Sequence, residues 1–272
     1  MEGIIAIWQR DIIKFFRDRP RMIGSFSMPI LFLIVFGVGM CGAMESLVAA
    51  GTDAEEFNYV EFIFPGIVSM TLLMTSIFSS LSVIQDRDFG YMREILVSPV
   101  SRVNIAIGKM LGSASVAFVQ GVMMLVLMPF LGIRIDFVSF LQLLPVMFMI
   151  ACAFASLGLL VASLLNSMQG FQLVVNILVM PMIFMSGALF PLNNMPAWVD
   201  FLVTLNPVTY GVDLMKHIMI DVESLSPMVR EEMGLNLTFF GQPVTTAGEV
   251  LFLLGFTALL ILLATLTFRR KN

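Results

Sequence analysis

The sequence predicts an all-α membrane protein with six transmembrane helices, and three observations predict it. Of 272 residues, 58% are hydrophobic and only 12% charged, with a mean hydropathy of +0.96. A soluble domain carries about 25% charged residues, so a chain this apolar could not keep its surface wet. Second, residues 22–44, 62–84, 110–133, 137–199 and 250–268 contain no Asp, Glu, Lys or Arg. Crossing a hydrocarbon core about 30 Å thick takes roughly 20 apolar helical residues, and these runs meet or approach that length. Third, the basic residues fall almost entirely on alternate loops.

The run over 137–199 is too long for one crossing. Asn166, Ser167, Gln169, Gly170 and Gln172 interrupt it and mark a turn between two spans. The expected spans are therefore 22–42, 62–84, 107–131, 140–165, 171–190 and 249–268. The runs lack the alternation of barrel strands, which excludes a β-barrel. Of the Lys and Arg residues, Arg10, Lys14, Arg17, Arg19, Arg21, Arg87, Arg93, Arg102, Lys109, Arg269, Arg270 and Lys271 share one side of a six-span chain. The other side holds Arg134, Lys216 and Arg230, and its first loop is acidic, with Glu45, Asp53, Glu55, Glu56 and Glu61. Basic loops stay in the cytoplasm, so both termini are expected there, with the chain multi-pass in the plasma membrane.

At residues 1–21, Ile4, Ile5, Trp8, Ile12, Phe15 and Phe16 recur near helical spacing while Arg10, Asp11, Lys14, Arg17 and Asp18 fill much of the rest. That pattern predicts an amphipathic interfacial helix lying on the membrane rather than on a protein partner. The first apolar run exceeds the core of a signal peptide, so Ala49–Ala50–Gly51 is not read as a cleavage site. In the loop over 85–104, Phe89, Met92, Leu96 and Pro99 form one stripe of a short helix, with Gly90 weakening its start and Ser98–Pro99 ending it. The loop over 191–248 opens with an apolar stretch broken at Asn206–Pro207, which predicts a pair of short re-entrant or interfacial helices. Its more polar remainder predicts an exposed cap, and Asn236 begins a glycosylation sequon. Cys41 and Cys152 sit in apolar segments and read as small core residues.

Several chemistries are missing. Gly108–Lys109 is followed by Met110, without the glycine a Walker A loop needs five residues earlier, so the chain has no such ATP site. Gly37, Gly39 and Gly42 satisfy a dinucleotide fingerprint but end a membrane span with no preceding strand, and they read as helix packing. Gly108 and Gly112 form a small-xxx-small pair suited to close helix approach. His217, the single histidine, reads as a solvated loop residue rather than a metal ligand. No serine in the spans has a basic partner placed for nucleophilic catalysis. The spans are almost free of ionisable residues, which disfavours an ion-coupled carrier, although backbone carbonyls can coordinate sodium.

Two stretches then carry a resemblance. Residues 86–102, DRDFGYMREILVSPVSR, and 186–216, SGALFPLNNMPAWVDFLVTLNPVTYGVDLMK, resemble the loop and the post-span-five region of type-2 ABC exporter permeases. That group includes daunorubicin-resistance permeases and exporters of nodulation lipo-oligosaccharides. The resemblance covers the whole chain as one permease domain, residues 1–272, with Tyr91 standing where a smaller residue is commoner.

The resemblance implies an export permease without its own ATPase site. It implies two separate ABC ATPase subunits that hold ATP and Mg, and a second permease copy forming a homodimer. Membrane lipids would surround the pair, and nothing implies a nucleic-acid partner. The short helix would be a cytoplasmic coupling helix using Arg87, Phe89, Gly90, Met92, Arg93, Glu94, Leu96, Pro99 and Arg102. Spans two and five would line the path of a hydrophobic or amphipathic substrate (drug, lipid or lipid-linked glycan) through Thr75, Phe78, Ser79, Asn176, Met180 and Phe184. The competing reading is a self-contained secondary transporter or channel.

Overall fold

The computed structural model describes residues 2–39, 59–91, 100–133, 135–190, 192, 196–220, 238–239, 242–243 and 245–270. Helix α1 is Glu2–Arg17 and α2 is Arg19–Phe32, which continues as a π-helical turn over Leu33–Val38. Helix α3, Tyr59–Ser79, is followed after a two-residue break by α4, Ser82–Asp88. Next come α5, Arg102–Leu125, a 3₁₀ turn at Met128–Leu131, and α6, Phe137–Leu164. Helix α7 is Met168–Phe184, and the short helices α8 and α9 are Ala197–Leu205 and Pro207–Met219. A minimal hairpin pairs Thr238–Phe239 with Gln242–Pro243 before α10, Thr246–Arg270.

Among the described residues, four stretches are long and apolar enough to cross a membrane: Val60–Asp88, Arg102–Leu131, Phe137–Leu164 and Thr246–Thr267. Helix α7 is apolar but shorter, at 17 residues. The expected turn between spans four and five lies at 165–167, where Ser167 caps α7 by accepting from Gly170 N. Ser101 caps α5 in the same way through Asn104 N, so that the helix begins at Arg102, five residues before the span was expected to begin. Cys41 and Asn236 lie outside the described residues.

Helices α3, α5 and α6 pack on one another, and α6 also packs on α10. Glycines set the closest approaches. A Cβ on Gly158 of α6 would stand 2.8 Å from Ile77 Cα, and one on Gly66 of α3 would stand 2.2 Å from Ala188 O. Ser80, at the break after α3, bonds Ser76 O, Ser113 Oγ and Ala155 O, and so ties three helices at one point.

The amphipathic helix at the N-terminus differs from its expected setting. It packs along the start of α5, burying Ile7, Asp11 and Phe15 while Ile5, Ile13 and Phe16 stay exposed. The small pair Gly108 and Gly112 is the seat: added Cβ atoms would meet Ile7 Cβ at 3.1 Å and Asp11 Cβ at 3.0 Å. Close approach is thus their use, with α1 as the partner. Placing Asp11 on the solvated side is corrected, because its carboxylate turns inward to a lysine of α5.

The paired short helices after α7 are present and divide at Asn206. Its Oδ1 accepts from Val208 N, its Nδ2 donates to Met182 O at 2.7 Å, and Pro207 occupies the first turn of α9, where its missing N–H costs nothing. Tyr210 Oη donates to Thr204 O at 2.7 Å and locks the corner. The Asn-Pro-x-x-Tyr sequence is therefore a built turn. Helix α9 is buried over residues 207–216. His217 is exposed, as expected, but stands on this helix rather than in a loop, with Nδ1 3.0 Å from Asp213 O and 3.4 Å from Asp213 Oδ2.

Candidate functional site

A cavity of 710 Å³ opens among α2, α3, α5 and α7. Helix α3 supplies one wall through Ile67, Met70, Thr71, Met74, Thr75, Phe78 and Ser79, and α7 the other through Asn176, Met180, Ile183 and Phe184. Phe15, Gly24, Pro29, Phe32, Gln120 and Leu189 complete it. The structure brings all six residues named for the substrate path, Thr75, Phe78, Ser79, Asn176, Met180 and Phe184, onto this one lining. The lining is mostly apolar, with a few polar groups fixed in place. Thr75 Oγ1 donates to Gln120 Oε1, and Thr71 Oγ1 donates to Ile67 O at 2.8 Å. Such a wall, apolar with sparse hydrogen-bonding groups, is the ordinary chemistry of a small-molecule site. Gln120 was missed by sequence reasoning, although a lone amide midway along an otherwise apolar run is a readable signal.

A second constellation stands where α1, α4 and α5 meet. Lys109 is 1% exposed, and its Nζ donates to Asp11 Oδ1 and Oδ2 at 3.1 and 3.0 Å and to Asp86 Oδ2 at 2.6 Å. Arg10 donates to Asp86 and, at 3.2 Å, to Asp11. Two cations and two carboxylates close a neutral network. Burial works against the charge on Arg10, but Asp86 and Asp11 outweigh it and hold its pKa above the ordinary value. Lys14 Nζ donates to Gln85 Oε1 at 3.1 Å and Trp8 Nε1 to Ser115 Oγ at 2.9 Å, fastening the same helix on either side. Lys109 was read as a cytoplasmic-side charge and a failed Walker lysine, and its pairing joins residues far apart in the chain.

The network adjoins the segment expected to couple. Arg87 does not point away from the bundle: its guanidinium donates to Ala162 O at 3.3 Å and Leu165 O at 3.1 Å, carbonyls at the end of α6 that lack helical partners. Phe89 is 69% exposed and packs only loosely on Tyr91, with ring centroids 6.3 Å apart. Gly90 takes φ +80°, a left-handed conformation that ends α4 and suits glycine. Arg102 is the first residue of α5. Met92, Arg93, Glu94, Leu96 and Pro99 lie outside the described residues.

A third group faces the opposite end. Lys216 Nζ donates to Gly187 O at 2.7 Å and lies 3.7 Å from the centroid of the Phe62 ring. Burial pushes this amine down to about 7, against the pull of Asp213. Asp213 lies beside Glu249 of α10. Among the described residues, no group of three or more His, Cys, Asp or Glu is placed to hold a metal ion.

Long apolar helices around an apolar cavity, with a charged clasp at one end, define a polytopic membrane permease. Residues 2–220 match the family model of the ABC-2 type transporter, and the chain belongs to that family. It is 30% identical over 215 residues to the putative transport permease ycf38 of Cyanophora paradoxa, covering 78% of this chain and 72% of that one. It is 28% identical over 240 residues to nodulation protein J of Rhizobium meliloti (strain 1021), covering 86% and 85%. It is 32% identical over 173 residues to the probable multidrug ABC transporter permease YbhR of Escherichia coli (strain K12), covering 62% of this chain and 46% of that one. Membership supports a membrane-embedded transport permease subunit of an ABC exporter, a class that works with an ABC ATPase.

Proposed function

We propose that this chain moves a hydrophobic or amphipathic substrate outward across the plasma membrane, driven by ATP hydrolysed on separate subunits. The observation that carries this reading is the 710 Å³ cavity between α3 and α7, an apolar wall with Thr75, Ser79, Gln120 and Asn176 set into it. An amphipathic molecule leaves its apolar part against Met70, Met74, Met180 and Phe184, and methionine adapts to varied shapes. Its polar part meets the amide of Asn176 or the Thr75–Gln120 pair. Two permease copies pair, each engages one ATPase, and ATP with Mg resides on those ATPases.

The segment from Arg87 to Arg102 is the coupling element. Exposed Phe89 supplies apolar grip at its start, and nucleotide-dependent affinity of the ATPase for two permease conformations supplies the drive. Both termini face the cytoplasm by the placement of Lys and Arg. The competing ion-driven reading loses one argument against it, since Lys109 and Asp86 place buried charge at the ends of long apolar helices. Those charges are fully paired with each other and with α1, and membership of the family favours the ABC reading.

The test is purification of the tagged permease from native membrane in mild detergent, with Phe89→Asp and Met180→Trp beside it. Wild type retains an ATPase bearing Walker motifs, Phe89→Asp loses it while staying folded, and Met180→Trp keeps it but loses substrate-stimulated ATP hydrolysis. A wild-type permease that retains no ATPase overturns the coupling reading. Unchanged stimulation in Met180→Trp overturns the cavity as the path.

A further inference from the structure

Helix α9 and its cap reach two neighbours at once. Asn206 Nδ2, Thr209 Oγ1 and Lys216 Nζ donate to Met182 O, Met185 O and Gly187 O, at 2.7, 3.3 and 2.7 Å. These carbonyls belong to the last turn of α7 and the turn that follows it, so α9 holds the end of one cavity wall. Toward α10 it presents Asp213, which lies beside Glu249. Both carboxyl groups are buried, and Glu249 Oε2 has no hydrogen-bond partner among the described residues.

Two neighbouring carboxyl groups held out of water do not both ionise, because each charge loses its hydration and repels the other. Burial accordingly raises Asp213 above the ordinary carboxylate range, against the pull of Glu249, His217 and Lys216. His217 is exposed and stands 3.4 Å from Asp213 Oδ2, which gives a proton a way between the pair and water. Lys216 turns its amine to Gly187 O and the Phe62 ring, and burial brings it down to about 7. Tyr210 Oη donates to Thr204 O, and burial with Glu249 raises it, so it keeps its proton through the neutral range. Glu61 of α3, next to Phe62 in sequence, is exposed. Helix α6 packs on α9 and contains no Asp, Glu, Lys, Arg or His.

We propose that Asp213 and Glu249 are a proton-binding site, in which one shared proton fastens α9 to α10 and leaves for water past His217. Acid tightens this fastening, and through the three donors of α9 it steadies the end of α7. The idea rests on the proposed function only in taking the cavity beside α7 as the transport path. With α9 parted from α10, both carboxyls reach water and ionise, whereas the seated pair keeps one proton. The seated form therefore holds one more proton over roughly pH 5 to 7, and falling pH favours it about tenfold per unit. Above 7, Lys216 acts in the opposite sense. Its amine keeps a proton when α9 is parted and gives it up when buried, so the two effects cancel.

The test is hydrogen exchange of α9 in the purified full-length permease, read by mass spectrometry, with the chemical pH dependence of exchange divided out. Wild-type protection grows about tenfold per unit as pH falls from about 7 to about 5, and is level just above 7. Glu249→Gln, which cannot ionise, is level throughout, and Asp213→Asn reads the same loss if Glu249→Gln does not fold. Lys216→Met keeps the change and extends it above 7. Glu61→Gln, a charge removed from the exposed start of α3, behaves as wild type. The proposal is overturned if wild type is level below 7, if the carboxyl variants keep the change, if Lys216→Met levels off at 7, or if Glu61→Gln abolishes it. The measurement needs neither ATPase nor cargo. A level wild-type profile thus removes the proton site and leaves the transport reading standing, and failure of the transport reading leaves the profile untouched.

Discussion

Lys109 Nζ lies 2.6 Å from Asp86 Oδ2, and both residues are buried, at 1% and 3% exposure. The pair joins the start of α5 to α4, and Asp11 brings α1 to the same amine. Removing one member of a buried ion pair costs about 3–5 kcal/mol, because the remaining charge stays desolvated. Lys109→Ala leaves two buried carboxylates sharing Arg10 alone. The expected result is a large fall in thermal stability of the purified chain and proteolytic release of α1. A midpoint within a degree or two of wild type would show the network to be dispensable.

Gly66 and Gly255 separate sterics from helix propensity. Alanine stabilises a helix interior by about 0.8–1 kcal/mol over glycine. A Cβ on Gly255 meets nothing within 4 Å, so Gly255→Ala raises stability by that order. A Cβ on Gly66 would stand 2.2 Å from Ala188 O, a backbone atom that cannot swing aside. Gly66→Ala is expected to lose about 1–3 kcal/mol, the usual cost of overpacking, despite its better propensity. Denaturation of both variants in one detergent checks the opposite signs.

Asn206 has two separable duties, capping α9 and tethering it to Met182 O. Asn206→Ser keeps a capping oxygen but loses the tether, while Asn206→Ala loses both. The cap is worth about 0.5–2 kcal/mol. Thermal unfolding should therefore rank wild type above Asn206→Ser and that above Asn206→Ala. Equal midpoints for the two variants would deny the cap its role.

What the sequence made legible follows from the range of each interaction. The apolar runs announced α3, α5, α6 and α10, because a membrane selects on composition alone. Ser101 and Ser167 are cap signals of the ordinary kind, and reading them would have placed the starts of α5 and α7 correctly. The face of α1 was misjudged at Asp11, since helical periodicity counts an aspartate as polar and cannot know that Lys109 awaits it 98 residues later. Arg87 was assigned to a partner for the same reason. Its bonds go to carbonyls at the end of α6, an acceptor set that no side-chain pattern records. The cavity residues came from resemblance, and their meeting on one lining depends on how α3 and α7 face each other, which spacing along either helix does not give. Glu249 and Asp213 carried a weak signal, each an acid inside an apolar stretch, but their meeting depends on the packing of α9 on α10.

Asp86 and Arg87 are neighbours in sequence yet bind in opposite directions, one to Lys109 and Arg10, the other to the carbonyls of α6. The two residues make α4 a yoke rather than a hinge. A hinge would let a load at exposed Phe89 dissipate in one flexing joint. On the coupling role proposed for Phe89, a yoke would divide that load between two arms, so that the bundle would feel a push from outside on both flanks together, and severing either arm would leave the motion lopsided rather than merely weaker.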